Sequence, residues 1–295
     1  MKKLLAATML LATFALKAQK IEYHNALASE YVATRNVEVW LPKEYANEPE
    51  RRFPVLYMHD GQNVFNPATS YTGTAWEADS TAGAMIAAGR IEPMIIVAVW
   101  NSPKRFQEYC PQKPVAEADL EVRDYLNNLR KDYQKELVAD EYLKFLVTEL
   151  KPFIDKTYRT KTDARNTSIC GSSMGGLISM YAICEYPDVF GQAACVSTHW
   201  PLGYNNDNPA VSQVLKNYFN KYVPSPLNHR LYFDHGTATL DALYEVHQNQ
   251  VDEIMVAKGY ERGRNWDTKK FEGAIHTESA WRDRFDIILT FLYGK

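Results

Sequence analysis

The sequence predicts an α/β fold built on one mostly parallel central sheet. Three observations carry this. Short, continuously apolar runs alternate along the chain with longer segments of helical periodicity. Neither a linker nor an internal repeat interrupts that alternation. Composition is ordinary for a globular chain, with 46% hydrophobic and 23% charged residues over 295 positions, which excludes a disordered chain or a coiled coil.

The elements follow in order. Lys2 and Lys3 precede an apolar run from Leu4 to Leu16, with the small residue Ala18 just beyond. This pattern predicts a secretory signal peptide over 1–18, and the run is shorter than the roughly 20 residues a membrane span needs. The remaining 19–295 then form one domain in the periplasm or outside the cell, with no stable membrane insertion. Losing three lysines and no acid moves the net charge from −3 to −6, so no basic footprint for nucleic acid remains. The alternation of Val37, Val39 and Leu41 predicts antiparallel strands at one edge of the sheet. Runs over 53–59 and 93–100 suit strands buried on both faces. A helix is expected over 76–88, and 101–138 reads as a long polar loop. Leu143, Leu146, Val147, Leu150, Phe153 and Ile154 recur at three- and four-residue spacing, the mark of an amphipathic helix over 141–154. Strands over 166–170, 192–197 and 230–233 follow, with a helix after the first of these and a loop-rich stretch after the second. A helix over 242–258, a short strand near 270–271 and a helix over 279–293 complete the chain. Right-handed crossovers place helices on both faces of such a sheet and a ligand crevice at the carboxyl ends of its strands.

Gly171-Ser-Ser-Met-Gly-Gly176 contains G-x-S-x-G, with Ser173 at its centre. A strand before it and a helix after it make the sharp turn that exposes a nucleophilic serine. Such a serine needs a base, and the base an orienting acid, in the α/β-hydrolase order Ser, Asp or Glu, His. His276 lies in the loop between the last short strand and the last helix, where that base belongs. His24, His229 and His247 follow no late strand. Asp241 is preferred as the acid because it lies beyond a glycine turn and can swing toward His276. Asp234, which directly extends its strand, is the alternative, with Glu245 behind it; Asp241 would also serve as an ordinary helix cap. The backbone amides of Met174 and of Gln62, in the turn His59-Asp-Gly-Gln-Asn63, are the candidate oxyanion donors. Trp76, Asn101, Arg105, Glu108, Tyr109 and Trp200 fall on crevice-side loops and are candidate substrate contacts. No H-E-x-x-H, zinc-spaced cysteine pair, P-loop or dinucleotide fingerprint is present, so neither metal nor organic cofactor is expected. Cys170, Cys184 and Cys195 lie in core elements and Cys110 in a loop, which predicts packed thiols in place of a disulfide framework.

His-Asp-Gly-Gln-Asn-Val-Phe (59–65), Asn101 with Arg105 and Glu108-Tyr109, Gly-Ser-Ser-Met-Gly-Gly (171–176), Tyr-Pro-Asp-Val-Phe-Gly (186–191) and His276 with Trp281-Arg282 together resemble the putative esterase family. The resemblance runs from about residue 36 to 292. It implies an α/β-hydrolase fold and carboxylic-ester hydrolysis, with Ser173 as nucleophile, His276 as base and the 61–63 turn in the oxyanion hole. The family's feruloyl and acetyl xylan esterases imply a small-molecule or oligosaccharide ester as substrate. Siderophore-ester hydrolysis, acyl transfer and silent sugar binding are alternatives. Two departures stand out. Gly-Thr-Ala-Thr-Leu-Asp (236–241) replaces the shorter acidic turn of many relatives, and Ser197-Thr-His-Trp200 replaces a Ser-Pro pair before the tryptophan.

Overall fold

A computed structural model describes residues 18–129, 136–203 and 209–295. The signal-peptide expectation therefore lies almost wholly outside the described residues. Among these residues eight strands form one sheet: β1 (Lys20–Leu27), β2 (Arg35–Leu41), β3 (Val55–Met58), β4 (Ile95–Val99), β5 (Thr167–Ser172), β6 (Gln192–Val196), β7 (Arg230–Gly236) and β8 (Trp266–Phe271). Their spatial order is β1-β2-β4-β3-β5-β6-β7-β8. β1 pairs antiparallel with β2 and β2 with β4, while every later pairing is parallel. The expected antiparallel edge and mostly parallel centre are both present, and the strand order is that of the α/β-hydrolase fold.

Among the described residues twelve α-helical segments accompany the sheet: α1 (Lys43–Asn47), α2 (Ala78–Ala87), α3 (Arg105–Tyr109), α4 (Gln112–Glu117), α5 (Leu120–Leu129), α6 (Ala139–Lys144), α7 (Lys151–Thr157), α8 (Met174–Glu185), α9 (Pro209–Tyr222), α10 (Glu245–Ala257), α11 (Glu278–Arg282) and α12 (Phe285–Tyr293). The period-2 alternation of the strands feeds two cores. Val55 and Tyr57 of β3 join Leu143, Leu146, Leu177, Ile178, Leu215 and Val251 on one face. Leu56 and Met58, one residue out of phase, join Met85 and Ile86 of α2 and Ile288, Leu289 and Leu292 of α12 on the other. Residues 174–184 of α8 are buried throughout, as a helix without a polar face must be.

Several boundaries differ from expectation. The polar stretch 101–138 carries α3, α4 and α5. These short helices gain their stability from docking Phe106, Tyr109, Val122 and Leu126 into the core, which local sequence does not report. α9 occupies the stretch read as loop-rich after residue 197. The helix expected over 141–154 runs as α6, a π-helical turn over Phe145–Leu150, and α7. The terminal helix divides at Asp283 and Arg284, where Arg284 turns inward to a buried carboxylate. All four cysteines are free and buried, Cys110 included. Among the described residues no helix is long and apolar enough to cross a membrane.

Candidate active site

The register aligns the carboxyl ends of the strands. Ser172 lies beside Val196, Val196 beside Asp234, and Gly236 beside Phe271. Ser173, Ser197, Asp241 and the 272–276 loop therefore leave the sheet at one edge.

Ser173 occupies the elbow between β5 and α8 with φ 60° and ψ −121°, a conformation that costs a non-glycine residue about 1 to 3 kcal/mol. Its own amide donates to the Val196 carbonyl at 2.9 Å, which offsets part of that strain. A Cβ on Gly171 would lie 2.7 Å from the Gly175 carbonyl, so only glycine lets the helix press this closely on the strand it leaves. The side chain of Ser173 is half-buried. Met174 follows as the first residue of α8, and its amide has no intrahelical acceptor.

His276 Nδ1 lies 2.5 Å from Asp241 Oδ1. The histidine ring is held edge-on between Trp281 (4.9 Å between centroids) and Tyr244 (5.8 Å). Its amide donates to Thr239 Oγ1 at 2.9 Å. Asp241 is fully buried, and its Oδ2 accepts the Ser197 hydroxyl and the Gly236 amide, both at 2.6 Å. Burial opposes ionisation of Asp241. Hydrogen bonds from His276, Ser197 and Gly236, with the charge of His276, outweigh it and hold the carboxyl below its ordinary range. Asp234, the alternative acid, is committed elsewhere. It accepts from Arg284 Nη2 at 2.8 Å and Nε at 3.1 Å, and from the Tyr232 hydroxyl at 3.1 Å. Glu245 pairs with Lys270 at 2.9 Å.

The turn after β3 begins with Asp60 in the left-handed region (φ 55°, ψ 47°) and continues as a single 3₁₀ turn, Gly61–Asn63. The Gln62 amide is among its first donors and has no partner within the turn. Asp60 fixes the turn through a fork from Arg105, with Nε and Nη2 both at 2.6 Å, and through Asn101 Nδ2 at 2.5 Å. Burial acts against the Asp60 anion, but Arg105 and Asn101 prevail and its carboxyl sits below the usual range. The Asn101 amide also donates to Gln62 Oε1 at 3.3 Å. Asn63 Nδ2 reaches Glu278 at 3.2 Å, which joins this turn to the helix that follows His276.

The six expected substrate contacts are placed as follows. Asn101 and Arg105, both half-exposed, grip Asp60. Tyr109 is buried, and its hydroxyl meets the Asp60 amide at 3.2 Å. Glu108 is a correction: it is closed inside the protein against Arg35 at 2.7 and 3.1 Å. Trp76 stacks on Trp281 at 5.8 Å with little exposure, and Trp200 is buried near Phe219. A loop position read from sequence does not say which way a side chain turns, and these aromatic and acidic side chains turn inward. Two residues that the sequence reading left without a role, Ser197 and Arg284, stand directly behind Asp241. The available signal was position, since Ser197 follows β6 at the same sheet edge as Ser173.

A sheet of this order, a strained serine on a strand-to-helix elbow and a histidine bonded to a buried aspartate define a protein of the α/β-hydrolase class. The family model described as "Putative esterase" matches residues 29–292, and the chain belongs to that family. It is similar to the uncharacterized protein YbbA of Bacillus subtilis (strain 168), with 23% identity over 92% of this chain and 97% of the relative. It is also similar to an endo-1,4-beta-xylanase/feruloyl esterase of Xylanibacter ruminicola, at 27% identity over 66% of this chain but only 24% of that longer protein. The structure of a ferulic acid esterase from Anaeromyces mucronatus superposes with a TM-score of 0.64 at 17% identity, covering 94% of this chain and 92% of the other. At that identity the likeness speaks for the fold. Membership of that family makes the chain an esterase-type hydrolase.

Proposed function

We propose that this protein is an exported serine esterase that hydrolyses acetyl or feruloyl esters carried on carbohydrate. The mature chain begins after Ala18 and acts as one domain. The observation that carries the catalytic reading is the 2.5 Å contact of His276 Nδ1 with the buried Asp241, at the sheet edge that also presents Ser173 on its strained elbow. Asp241 fixes the tautomer, so that Nε2 is the free base. In the first step Nε2 takes the Ser173 proton as Oγ attacks the ester carbonyl. The oxyanion is received by the Gln62 and Met174 amides, and the imidazolium returns its proton to the departing alcohol. Water then attacks the acyl-serine by the same proton route and releases the acid. Removing one oxyanion donor in such a site costs about 3 kcal/mol.

The acyl and alcohol groups of this reading rest on the feruloyl esterase relative. A fluorophosphonate probe should label the protein at Ser173, and Ser173→Ala should lose both labelling and hydrolysis of p-nitrophenyl acetate; persistence of either activity overturns the assignment. Purified protein screened against acetylated xylan, feruloylated arabinoxylan and a catecholate trilactone then identifies the ester, and preference for the trilactone would replace the carbohydrate reading with a siderophore one. Mass spectrometry of the secreted product checks for an N-terminus at Gln19.

A further inference from the structure

The Ser197 hydroxyl makes three hydrogen bonds whose directions are fixed by chemistry. Trp281 Nε1 lies 3.0 Å from Ser197 Oγ and Arg284 Nη2 lies 2.8 Å from it. An indole N–H and a guanidinium can only donate. Both lone pairs of the hydroxyl are therefore taken, and its single proton must go to the remaining neighbour, Asp241 Oδ2 at 2.6 Å. A serine hydroxyl in most settings rotates to suit its partners. This one cannot.

From this geometry we infer that Ser197 is a positioning residue for the acid of the proposed triad. It supplies a hydroxyl of fixed polarity that occupies Asp241 Oδ2 and leaves Oδ1 to His276. The inference rests on the assignment of Asp241 and His276 under Proposed function. The Gly236 amide, at 2.6 Å from the same Oδ2, completes the set. A Cβ on Gly236 would stand 2.1 Å from the Ala274 carbonyl and 3.0 Å from Asp241 Oδ2, so glycine is required for the base loop and the acid to meet here. Behind Ser197 the orientation is locked by a second buried carboxylate. Asp234 holds Arg284 at 2.8 and 3.1 Å and accepts the Ser197 amide at 3.3 Å. The charged and titratable groups around the hydroxyl are thus Asp241 from the turn after β7, Asp234 from β7 itself, Arg284 from the break between α11 and α12, and His276 from the loop after β8. Tyr244 flanks the His276 ring from the start of α10 and binds His199 through its hydroxyl at 2.8 Å.

Ser197 has φ 41°, where glycine is at ease and alanine is strained. That difference separates positioning from folding. Ser197→Ala and Ser197→Gly both delete the hydroxyl, but glycine also relieves the backbone, so the two variants should differ in melting temperature. With p-nitrophenyl acetate as substrate, both should lose about tenfold in kcat. In both, the acidic limb of kcat/KM should move to higher pH, because a carboxylate with one donor fewer draws the imidazole proton more strongly. Wild-type pH profiles in the two variants, or an activity that merely follows melting temperature, would overturn the role of Ser197. Ser173→Ala and Asp241→Asn are measured alongside. If both are inactive while the Ser197 variants keep the wild-type profile, only this inference fails. If Ser173→Ala or Asp241→Asn retains hydrolysis, the triad itself falls and the role of Ser197 with it.

Discussion

At the residue scale the two aspartates near β7 show how surroundings divide labour between identical side chains. Asp234 and Asp241 are both buried, yet one faces a guanidinium and the other an imidazole. Asp241→Asn should reduce kcat with p-nitrophenyl acetate by roughly a thousandfold or more while leaving the melting temperature near that of the parent, because on the proposed mechanism the loss falls on the tautomer and charge of His276. Asp234→Asn should do the reverse. It strands the Arg284 guanidinium in the core and should cost about 3 to 5 kcal/mol in denaturant unfolding, and equal, small kinetic losses in the two variants would contradict the assignment. A third buried group gives the fold a pH dependence. Burial drives His59 down to about 3 from an ordinary 6.5, with Arg105 and Arg35 acting in the same direction and Asp60 against it. The unfolded chain therefore binds a proton near pH 6.5 that the folded chain refuses until about pH 3. Stability from this group is complete above pH 6.5 and is lost progressively on acidification across that window, to an extent of a few kcal/mol. Melting temperatures taken between pH 7.5 and 4 should fall less steeply in His59→Asn than in the parent; parallel curves would refute this.

At the element scale the turn after β3 and the helix after His276 behave as one construction. Arg105 and Asn101, on and just before α3, clamp Asp60, while Asn63 and Thr72 both bond Glu278 at the start of α11. The candidate oxyanion donor and the candidate base are thereby carried by segments tied to each other. Arg105→Ala should lower kcat about tenfold or more with little change in KM, since on the proposed mechanism it loosens an oxyanion donor that acts on the transition state and not the bound ester. A rise in KM alone would instead make Arg105 a substrate contact. The pair Arg35–Glu108 links β2 to α3 under the rings of Tyr142 and Phe145, each 5.1 Å from the Arg35 guanidinium carbon. Glu108→Ala should destabilise the fold by about 3 to 5 kcal/mol, measured by urea unfolding. These inward roles were not legible in the sequence. Their places in the chain put Glu108, Tyr109 and Trp200 on loops near the crevice, and only packing decides whether a loop side chain faces solvent or core.

At the scale of the whole molecule, the sheet is covered on both faces, and every thiol lies within that cover. Burial raises Cys110, Cys170, Cys184 and Cys195 far above the ordinary thiol range, so none is a ready thiolate. Native protein should react with no equivalents of a soluble disulfide reagent over minutes and with four after denaturation, and a reducing agent should leave its melting temperature unchanged. Fast labelling of a native thiol would contradict the packing described.

The amino-acid sequence by itself determined the α/β class, the antiparallel edge, the elbow at Ser173 and the chain order that brings His276 last. Each of these is written in local signals: apolar runs of strand length, glycines where a helix must press on a strand, and the succession of elements along the chain. Tertiary structure alone decided which carboxylate meets the histidine. Asp234 and Asp241 lie seven residues apart on either side of one glycine turn, and their fates depend on Arg284 and His276, which arrive from distant segments. It also turned Ser197, a strand-end serine with no role assigned to it, into a hydroxyl with a single permitted direction. Hydrogen-bond polarity is a property of the neighbours a side chain meets, and those neighbours are adjacent only once the sheet has formed.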